Sequence, residues 1–394
     1  MGGKPQMIYM DHAATTPVLP EVGARAAEFW YQQFGNPSSV HRLGRRARSA
    51  VEGARRQTAS LIGAEPEEII FTSGGTEANN LAVLGAARAQ AEQGRHIVTS
   101  AVEHPSVLEA CAALEQEGFR VTYVPVDQWG MVDPAAVLAA MTDETILVSI
   151  MLANNEVGTV QPVAAIALAL RAAGRPVVFH TDAVQAAGQV PLNVEDLGVD
   201  LLTLSGHKLY APKGVGALYI RRGIRRKLQP LLYGGGQEGR MRPGSENVAG
   251  IVAMGEAAAL AAAEGPALAR RLAGLRDRLA AGLQAAVPGV TLNGHPTERL
   301  PNNVHISIDG VDSETLLIHL DMAGVAASSG SACTAGAVEP SHVLQAMGRS
   351  REQARQVLRL TLGRTNDEND VDEAVRRIAA AVEQIREGGR HRDG

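Results

Sequence analysis

The sequence predicts an α/β fold in which a mostly parallel central sheet carries helices on both faces, with a smaller α+β domain beside it. Short apolar runs have the length of buried strands and lie at residues 68–72, 96–100, 145–152, 177–180 and 201–204. Helical stretches separate several of these runs, for instance at 78–89 and 163–173. Strands that alternate with helices are typical of a parallel sheet.

The length and composition of the chain indicate two domains. Its 394 residues are 45% hydrophobic, which is enough for a sizeable core. An alanine-rich helix is predicted to end at Glu264, and Gly265-Pro266 is the predicted boundary. The large domain would comprise residues 16–265, and the small domain residues 1–15 and 266–394. Leucines at helical spacing predict one buried stripe in the small domain: Leu268, Leu272, Leu275, Leu279 and Leu283.

The charge and the cysteines narrow the class of protein. The formal net charge is −5 and no extended basic tract occurs, so we expect no nucleic-acid partner. We find neither an apolar run of membrane-spanning length nor a basic-then-apolar leader, which predicts a cytoplasmic protein without a membrane partner. Two cysteines far apart in sequence, Cys111 and Cys333, fit a reducing compartment, and Cys111 lies in an apolar stretch typical of a core residue.

Polar side chains follow the predicted strands at the points where the strands end. They are Thr76, His104, Asn155, Asp182, Gln185 and Lys208. In open parallel sheets, ligands bind beyond the carboxyl ends of the strands. These residues together therefore predict one site, although any one of them could stand there by chance.

Lys208 lies in a turn, Ser205-Gly206-His207-Lys208, between the strands predicted at 201–204 and 215–220. Gly206 can adopt the positive φ that such a turn often needs. A lysine held between two apolar strands loses solvation, and its neutral amine then becomes accessible for imine formation with an aldehyde. Considered without the other polar residues, Lys208 could equally be an ordinary lysine in a solvated loop.

The strand at 68–72 runs into a helix through Ser73-Gly74-Gly75-Thr76-Glu77. Free backbone N–H groups and the positive end of the helix dipole suit a phosphate there, with Gly75 and Thr76 beside it. A Ser/Thr-x-x-Glu cap accounts for Ser73 and Thr76 without any ligand. Both interpretations stay open.

Enzymes that use pyridoxal 5′-phosphate (PLP) share a recurring pattern: a lysine forms an imine with the cofactor, and an aspartate pairs with the pyridinium nitrogen of its ring. Asp182 would keep the ring nitrogen protonated, and His104 would lie over the ring face. Asn155 and Gln185 offer hydrogen bonds to the phenolate oxygen. The candidates for the phosphate are Gly75, Thr76, Ser205, His207 and Ser245. A helix cap is the alternative role for Asp182, and a histidine satisfied at a helix start is the alternative for His104.

Three residues are candidates for binding a substrate carboxylate. Arg359 offers a planar fork suited to an amino-acid carboxylate, although an arginine near a surface strand usually pairs with a glutamate. Asn155 and Asn36 could also face the substrate, whereas the loop around Asn36 could equally cap the helix that follows it. The histidines are scattered without zinc-site spacing, so we expect no metal site.

Six stretches of this chain resemble the cysteine desulfurases, and more closely the NifS/IscS-like group of class V, fold-type I PLP enzymes. The stretches are Phe71-Thr-Ser-Gly-Gly-Thr-Glu-Ala-Asn79, Glu103-His-Pro105, Ala153-Asn-Asn-Glu156, Asp182-Ala-Val-Gln185, Ser205-Gly-His-Lys208 and Ser328-Ser-Gly-Ser-Ala-Cys333. The resemblance implies a fold-type I PLP-dependent transferase. It also implies that Lys208 carries PLP, that His104 stacks on the ring and assists proton transfer, and that Cys333 is the sulfur-accepting nucleophile.

The resemblance further implies an activity and partners. PLP-dependent removal of sulfur from L-cysteine would yield L-alanine and a persulfide on Cys333, in a loop at 328–336 that we expect to be mobile. The sulfur would pass to an iron–sulfur scaffold or a sulfur-carrier protein, for cluster assembly or thiolation. The expected assembly is a homodimer in which Ser245 reaches the phosphate of the neighbouring subunit. A selenocysteine lyase, a class V aminotransferase and a PLP-binding partner without catalysis are the alternatives.

Overall fold

The computed structural model describes residues 7–330 and 340–390. The strands are β1 (Ile8–Tyr9), β2 (Ile69–Thr72), β3 (His96–Ser100), β4 (Arg120–Val124), β5 (Thr145–Ser149), β6 (Val178–Asp182), β7 (Leu201–Ser205), β8 (Gly216–Ile220), β9 (Val290–Leu292), β10 (Asn303–Ile308), β11 (Val325–Ala326) and β12 (Val357–Thr361). The helices are α1 (Pro20–Tyr31), α2 (Arg42–Leu61), α3 (Gly75–Ala89), α4 (Pro105–Gln116), α5 (Pro134–Ala140), α6 (Val163–Ala172), α7 (Val194–Leu197), α8 (Val248–Ala286), α9 (Ser313–Met322), α10 (His342–Ala346) and α11 (Glu368–Arg390).

A seven-stranded sheet in the order β2-β8-β7-β6-β5-β3-β4 forms the centre of the molecule. The pairs from β7 to β4 are all parallel, whereas β8 runs antiparallel to both of its neighbours. The residues of β3, β5, β6 and β7 are all buried, which accounts for the continuous apolar or small-residue runs seen in the sequence. The predicted mostly parallel sheet is therefore confirmed.

Helices cover both faces of this sheet, because successive strand residues point to opposite sides. Val98 and Leu202 pack in one core with residues of α1, α2, α6 and the first half of α8. Their neighbours Ile97 and Leu201 pack in a second core with α3 and α4. This is the two-layered covering that the alternation of strands and helices predicts.

A second, smaller unit forms around a three-stranded antiparallel sheet in the order β12-β10-β9. Its core contains the predicted leucine stripe: Leu272, Leu279 and Leu283 are fully buried in α8, and Leu268 packs at the edge. The N-terminal strand β1 joins this part of the molecule through a parallel pair with β11.

The predicted end of the alanine-rich helix at Glu264 is wrong. Helix α8 continues from Val248 to Ala286 with Pro266 inside it. A proline removes one backbone donor, but both halves of the helix are anchored by packing. Ala257 lies in the core of the large sheet, and Leu272 lies in the core of the small one. We propose that the division into two domains falls on this helix, near residue 265, as the change of core indicates.

The same helix is long and apolar enough to cross a membrane, by length and composition only. It packs against α1, α2 and α11, and 56% of its most apolar window is buried inside the molecule. These contacts are those of a core helix.

Leu279→Ala should lower the free energy of unfolding by about 2–5 kcal/mol, because it opens a cavity in the small-sheet core. Leu279 is 0% exposed, whereas Leu168 on α6 is 66% exposed. Leu168→Ala is the control and should change stability by no more than about 0.5 kcal/mol. Denaturant unfolding measures both, and equal effects would contradict the assignment of Leu279 to the core.

Candidate active site

A cavity of about 680 Å³ lies at the carboxyl edge of the central sheet. Residues that follow β3, β5, β6 and β7 line it, together with the N-termini of α3 and α4. Most of the predicted site residues meet here: Gly75, Thr76, His104, Asn155, Asp182, Gln185, Ser205, His207, Lys208 and Arg359. Parallel pairing brings them together although they are far apart in sequence.

Two predicted site residues, Asn36 and Ser245, are not among the residues that line this cavity. A third, Cys333, lies in the segment 331–339, outside the described residues. Asn36 is exposed and its Oδ1 accepts a hydrogen bond from the Ser38 amide at 2.9 Å. His41 caps α2 through Nδ1, so in this chain the loop is a helix entry. Ser245 is also exposed, in the segment before α8.

Lys208 ends a short 3-10 helix, Gly206–Lys208, directly after β7. The expected positive φ at Gly206 is wrong, since this residue is not among the left-handed glycines. Glycine is needed there for space, because a Cβ would lie 2.8 Å from Cγ1 of Val215. The Lys208 amine donates to the carbonyl oxygen of Ala14 at 2.6 Å and to that of Ala13.

The environment of Lys208 favours the neutral form of its amine. Burial lowers its pKa to about 8, and the positive charge of Arg359 acts in the same direction. The carboxylates of Asp11 and Asp182 oppose this shift. At pH 8 a large fraction of the amine is therefore unprotonated, as a nucleophilic lysine requires.

Asp182 lies at the carboxyl end of β6 and is 5% exposed. Its Oδ1 accepts a hydrogen bond from the Val184 amide at 2.9 Å, and its Oδ2 accepts one from Asn79 Nδ2 at 2.6 Å. The carboxylate thus holds the turn after β6, where the described structure has no helix for it to cap, and it also lines the cavity.

His104 is the N-cap of α4 and lines the cavity as well. Its Nδ1 accepts a hydrogen bond from the Ser106 amide at 3.1 Å. Burial lowers the pKa of the imidazole, and the positive charge of Lys208 adds to this effect. The helix-start role of His104 is therefore confirmed, and because the residue also borders the cavity, its position over a cofactor ring stays a prediction.

The N-terminus of α3 faces the cavity without a side-chain cap. Gly74 is the N-cap and makes no side-chain hydrogen bond, so the predicted Ser73 or Thr76 cap is not formed within the described structure. Glu77 instead accepts from the Ser73 amide at 2.8 Å. The first-turn amides of α3 thus lack helical partners and remain available to an anion. A Cβ at Gly75 would lie 2.9 Å from Val184, so only glycine leaves this entry open.

Arg359 extends from β12 into the cavity wall and is 5% exposed. Its guanidinium donates to Asp11 Oδ1 at 3.0 Å and to the carbonyl oxygen of Asn155 at 2.9 Å. The alternative role anticipated a glutamate partner for Arg359, whereas the acidic partner is an aspartate from the N-terminal segment. The Nε of Arg359 is buried and has no hydrogen-bond partner among residues 7–330 and 340–390.

Sequence reasoning missed several residues that line or support the cavity. They are Asn79, Ser106, Glu156, Ser341 and His342, together with Ala13 and Ala14, whose carbonyl oxygens accept hydrogen bonds from Lys208. One signal could have found Asn79, since it lies one helical turn after Gly75 inside a motif already singled out. Ser106 and Glu156 are close in sequence to predicted site residues, but their contacts with Asn79 and Ser341, like those of the remaining residues, join distant parts of the chain.

Comparisons with known proteins agree with this geometry. Residues 8–374 match the family described as aminotransferase class-V. A protein of Methanosarcina thermophila named "Cysteine desulfurase IscS" is 49% identical over 379 residues, covering 96% of this chain and 93% of its own. One of the same name from Dictyoglomus turgidum is 48% identical, covering 96% and 95%. A solved structure titled "NIFS-LIKE PROTEIN" superposes with a TM-score of 0.90 at 36% identity and covers 96% of this chain and 100% of its own.

The chain belongs to the cysteine desulfurases of the class-V aminotransferase family. The family is PLP-dependent, and the residues of this cavity fit that cofactor. The uncapped start of α3 suits a phosphate, a buried carboxylate at Asp182 suits a protonated ring nitrogen, and the Lys208 amine suits an aldehyde.

Reductive methylation of Lys208 with formaldehyde and a borohydride should become half-maximal near pH 8 in the cofactor-free protein. The reason is that only the neutral amine reacts, and burial lowers the pKa of this group to about 8. Peptide mass spectrometry across a pH series gives the profile. A rate that rises only above about pH 10, the ordinary lysine range, would show that the amine is not desolvated.

Proposed function

We propose that this chain is a cysteine desulfurase that takes sulfur from L-cysteine, releases L-alanine and leaves a persulfide on Cys333. The observation that carries the proposal is the meeting of Lys208, Asp182 and His104 in one cavity whose wall also contains Gly330 and Pro340. These two residues border the segment that contains Cys333. Cys333 follows Gly330 by only three residues in the sequence, which supports the proposal that its thiol serves this cavity.

The cofactor would be held by groups at both ends of the cavity. Lys208 would bind its aldehyde carbon and Asp182 its ring nitrogen. The first-turn amides of α3 would bind the phosphate, with Thr76, Ser205 and His207. Asn155 and Gln185 would bind its phenolate oxygen. PLP supplies an electron-withdrawing ring that stabilises negative charge on the Cα of an amino acid.

Side chains of this protein would carry out proton transfer, substrate binding and attack on the substrate sulfur. The Lys208 amine, with a pKa near 8, would accept the Cα proton of L-cysteine. Arg359, with Asn155, would bind the substrate carboxylate. The Cys333 thiolate would attack the substrate sulfur, so that a sulfur–sulfur bond forms while the carbon–sulfur bond of the substrate breaks.

We propose that the protein works as a homodimer. Large apolar side chains are exposed in two segments of the chain: Trp30, Tyr31 and Phe34 are 56%, 79% and 66% exposed, and Tyr233 is 76% exposed. Asn36 and Ser245 lie in the neighbouring segments and do not line the described cavity of their own chain. The partner subunit's Ser245 would reach the phosphate, which gives this exposed residue a role. Asn36 would then contact substrate from across the interface.

We further propose a cytoplasmic protein that passes its sulfur to an iron–sulfur scaffold or a sulfur carrier. A persulfide is a reactive group that needs an acceptor, and the two cysteines of the chain fit a reducing compartment. Capture of partners from a persulfide-loaded enzyme, followed by mass spectrometry, would identify the acceptor.

Cys333→Ser should abolish sulfide release while leaving cofactor binding intact. A hydroxyl of high pKa cannot attack sulfur as a thiolate does. The measurement is an adduct of one sulfur on the wild-type Cys333 peptide after a single turnover with L-cysteine, alongside sulfide and alanine release.

Cys111→Ser is the matched control for that experiment. Cys111 is 0% exposed in α4, and burial raises the pKa of its thiol to about 12, which confirms the expected core residue. This variant should keep its activity. An adduct on Cys111, or undiminished release by Cys333→Ser, would contradict the mechanism. Amino transfer without any adduct would favour an aminotransferase instead.

Asp182→Asn should lower kcat by about 10²-fold or more, because it removes the charge that stabilises a protonated ring nitrogen. Cofactor should still bind, since the phosphate contacts at α3 remain. Visible absorption reports binding and alanine release reports the rate.

Asp200→Asn is the control for Asp182→Asn. Asp200 lies at the opposite edge of the sheet, where its Oδ2 accepts from the Phe179 amide at 3.0 Å. Its replacement should leave kcat within a small factor of wild type. An Asp182→Asn variant as active as this control would remove Asp182 from the site.

A further inference from the structure

Asn79 connects two groups of the site through a single nitrogen. It lies at the start of the second turn of α3 and is 1% exposed. Its Nδ2 donates one hydrogen to Asp182 Oδ2 at 2.6 Å and the other to Ser106 Oγ at 2.8 Å. Its Oδ1 is buried without a hydrogen-bond partner in the described parts of the chain. The reversed amide would place that oxygen against the Asp182 carboxylate, which repels it, so the orientation of Asn79 is determined.

Ser106 continues this connection to His104. Its Oγ accepts from Asn79, so its own hydrogen is available for Nδ1 of His104, which lies 2.8 Å away. The backbone amide of Ser106 also donates to the same Nδ1, at 3.1 Å. A ring nitrogen that accepts an N–H hydrogen bond cannot carry a hydrogen of its own in that direction. The proton of the neutral imidazole therefore lies on Nε2.

Helix packing holds these groups in register. The side chain of the adjacent residue, Asn80, donates to the carbonyl oxygens of Thr76 at 2.9 Å and Ser106 at 3.2 Å. It therefore ties the start of α4 to the start of α3. This contact keeps Asn79 within reach of Ser106.

We propose that Asn79 and Ser106 are positioning residues that join the carboxylate of Asp182 to the imidazole of His104 and hold His104 as the neutral Nε2–H tautomer. In this state His104 donates a hydrogen bond into the cavity from Nε2 and does not accept a proton there. The acceptor role then falls to Lys208. The inference rests on the proposed function only for its kinetic readout.

The charges around His104 are consistent with a neutral ring. Asp182, Lys208 and His342 are the titratable groups that act on it. Burial and the positive charges of Lys208 and His342 lower the pKa of His104, whereas Asp182 opposes them. Protonation would also place a hydrogen on Nδ1, where it would displace the Ser106 amide and break the cap of α4.

Ring ¹⁵N NMR of the full-length holoenzyme, labelled in histidine, tests the tautomer directly. Wild type should show Nε2–H for His104. In Ser106→Ala the ring should titrate at higher pH, because the variant loses a donor that only the neutral ring can accept. The acid limb of kcat should move to higher pH with it, and kcat should fall about tenfold with little change in KM. Ser106→Thr keeps the hydroxyl and should restore the wild-type titration of His104, the wild-type acid limb and the wild-type kcat.

Two further variants complete the experiment. Asn79→Ala should shift the His104 titration in the same direction, and the double variant should lose no more kcat than the worse single variant, because both residues act through one chain of hydrogen bonds. Thr122→Ala is the matched control, since Thr122 Oγ1 contacts Nε2 of a different histidine, His96, at 2.9 Å. It should leave the His104 resonance and the pH profile unchanged.

The outcomes separate this proposal from the proposed function. An Nδ1–H tautomer in wild type, or an unchanged His104 titration in both Ser106→Ala and Asn79→Ala, would overturn the proposal even if sulfur release fell. If Ser106→Ala does not fold, the Asn79→Ala titration decides alone. A protein that shows the expected tautomer and shifts but releases no sulfur from L-cysteine would overturn the proposed function and leave the positioning role standing.

Discussion

Parallel pairing of β3, β5, β6 and β7 determines where the site lies and how the molecule packs around it. Their carboxyl ends meet at one edge, so the residues that follow them must share one cavity. The strands are buried on both faces, and helices pack on each side. This double covering removes water from the site edge, and that desolvation lowers the pKa values of Lys208 and His104.

The N-terminal segment joins the small sheet to the cavity. Asp11 forms an ion pair with Arg359 of β12, and the Ala13 amide donates to Thr361 of the same strand at 2.8 Å. The carbonyl oxygen of Ala13 in turn accepts from Gln185 at 3.1 Å and from Lys208. A short turn at residues 11–14 therefore transmits the position of the small sheet to the reactive amine.

Buried carboxyl groups support the far wall of the cavity. Glu103 is 0% exposed, and burial raises its pKa to about 8, although Ser100 Oγ donates to it at 2.6 Å and the Met151 amide at 2.8 Å. Burial also raises the pKa of Glu156, to which Ser341 donates. Ser341 caps α10, directly after the segment that contains Cys333. Hydrogen bonds thus anchor the described chain on that side of the segment.

The order of the buried parallel strands, the sheet edge at which the site lies and most of its polar residues could be predicted from the amino-acid sequence alone. This was possible because strand length, apolar burial and strand-end position are local properties of the chain. Three features emerged from the folded chain alone: α8 runs unbroken through Pro266, Asn36 lies outside the cavity of its own chain, and Asn79 bridges Asp182 and Ser106. Each of these depends on packing or hydrogen bonds between residues distant in sequence, and no local pattern encodes such contacts.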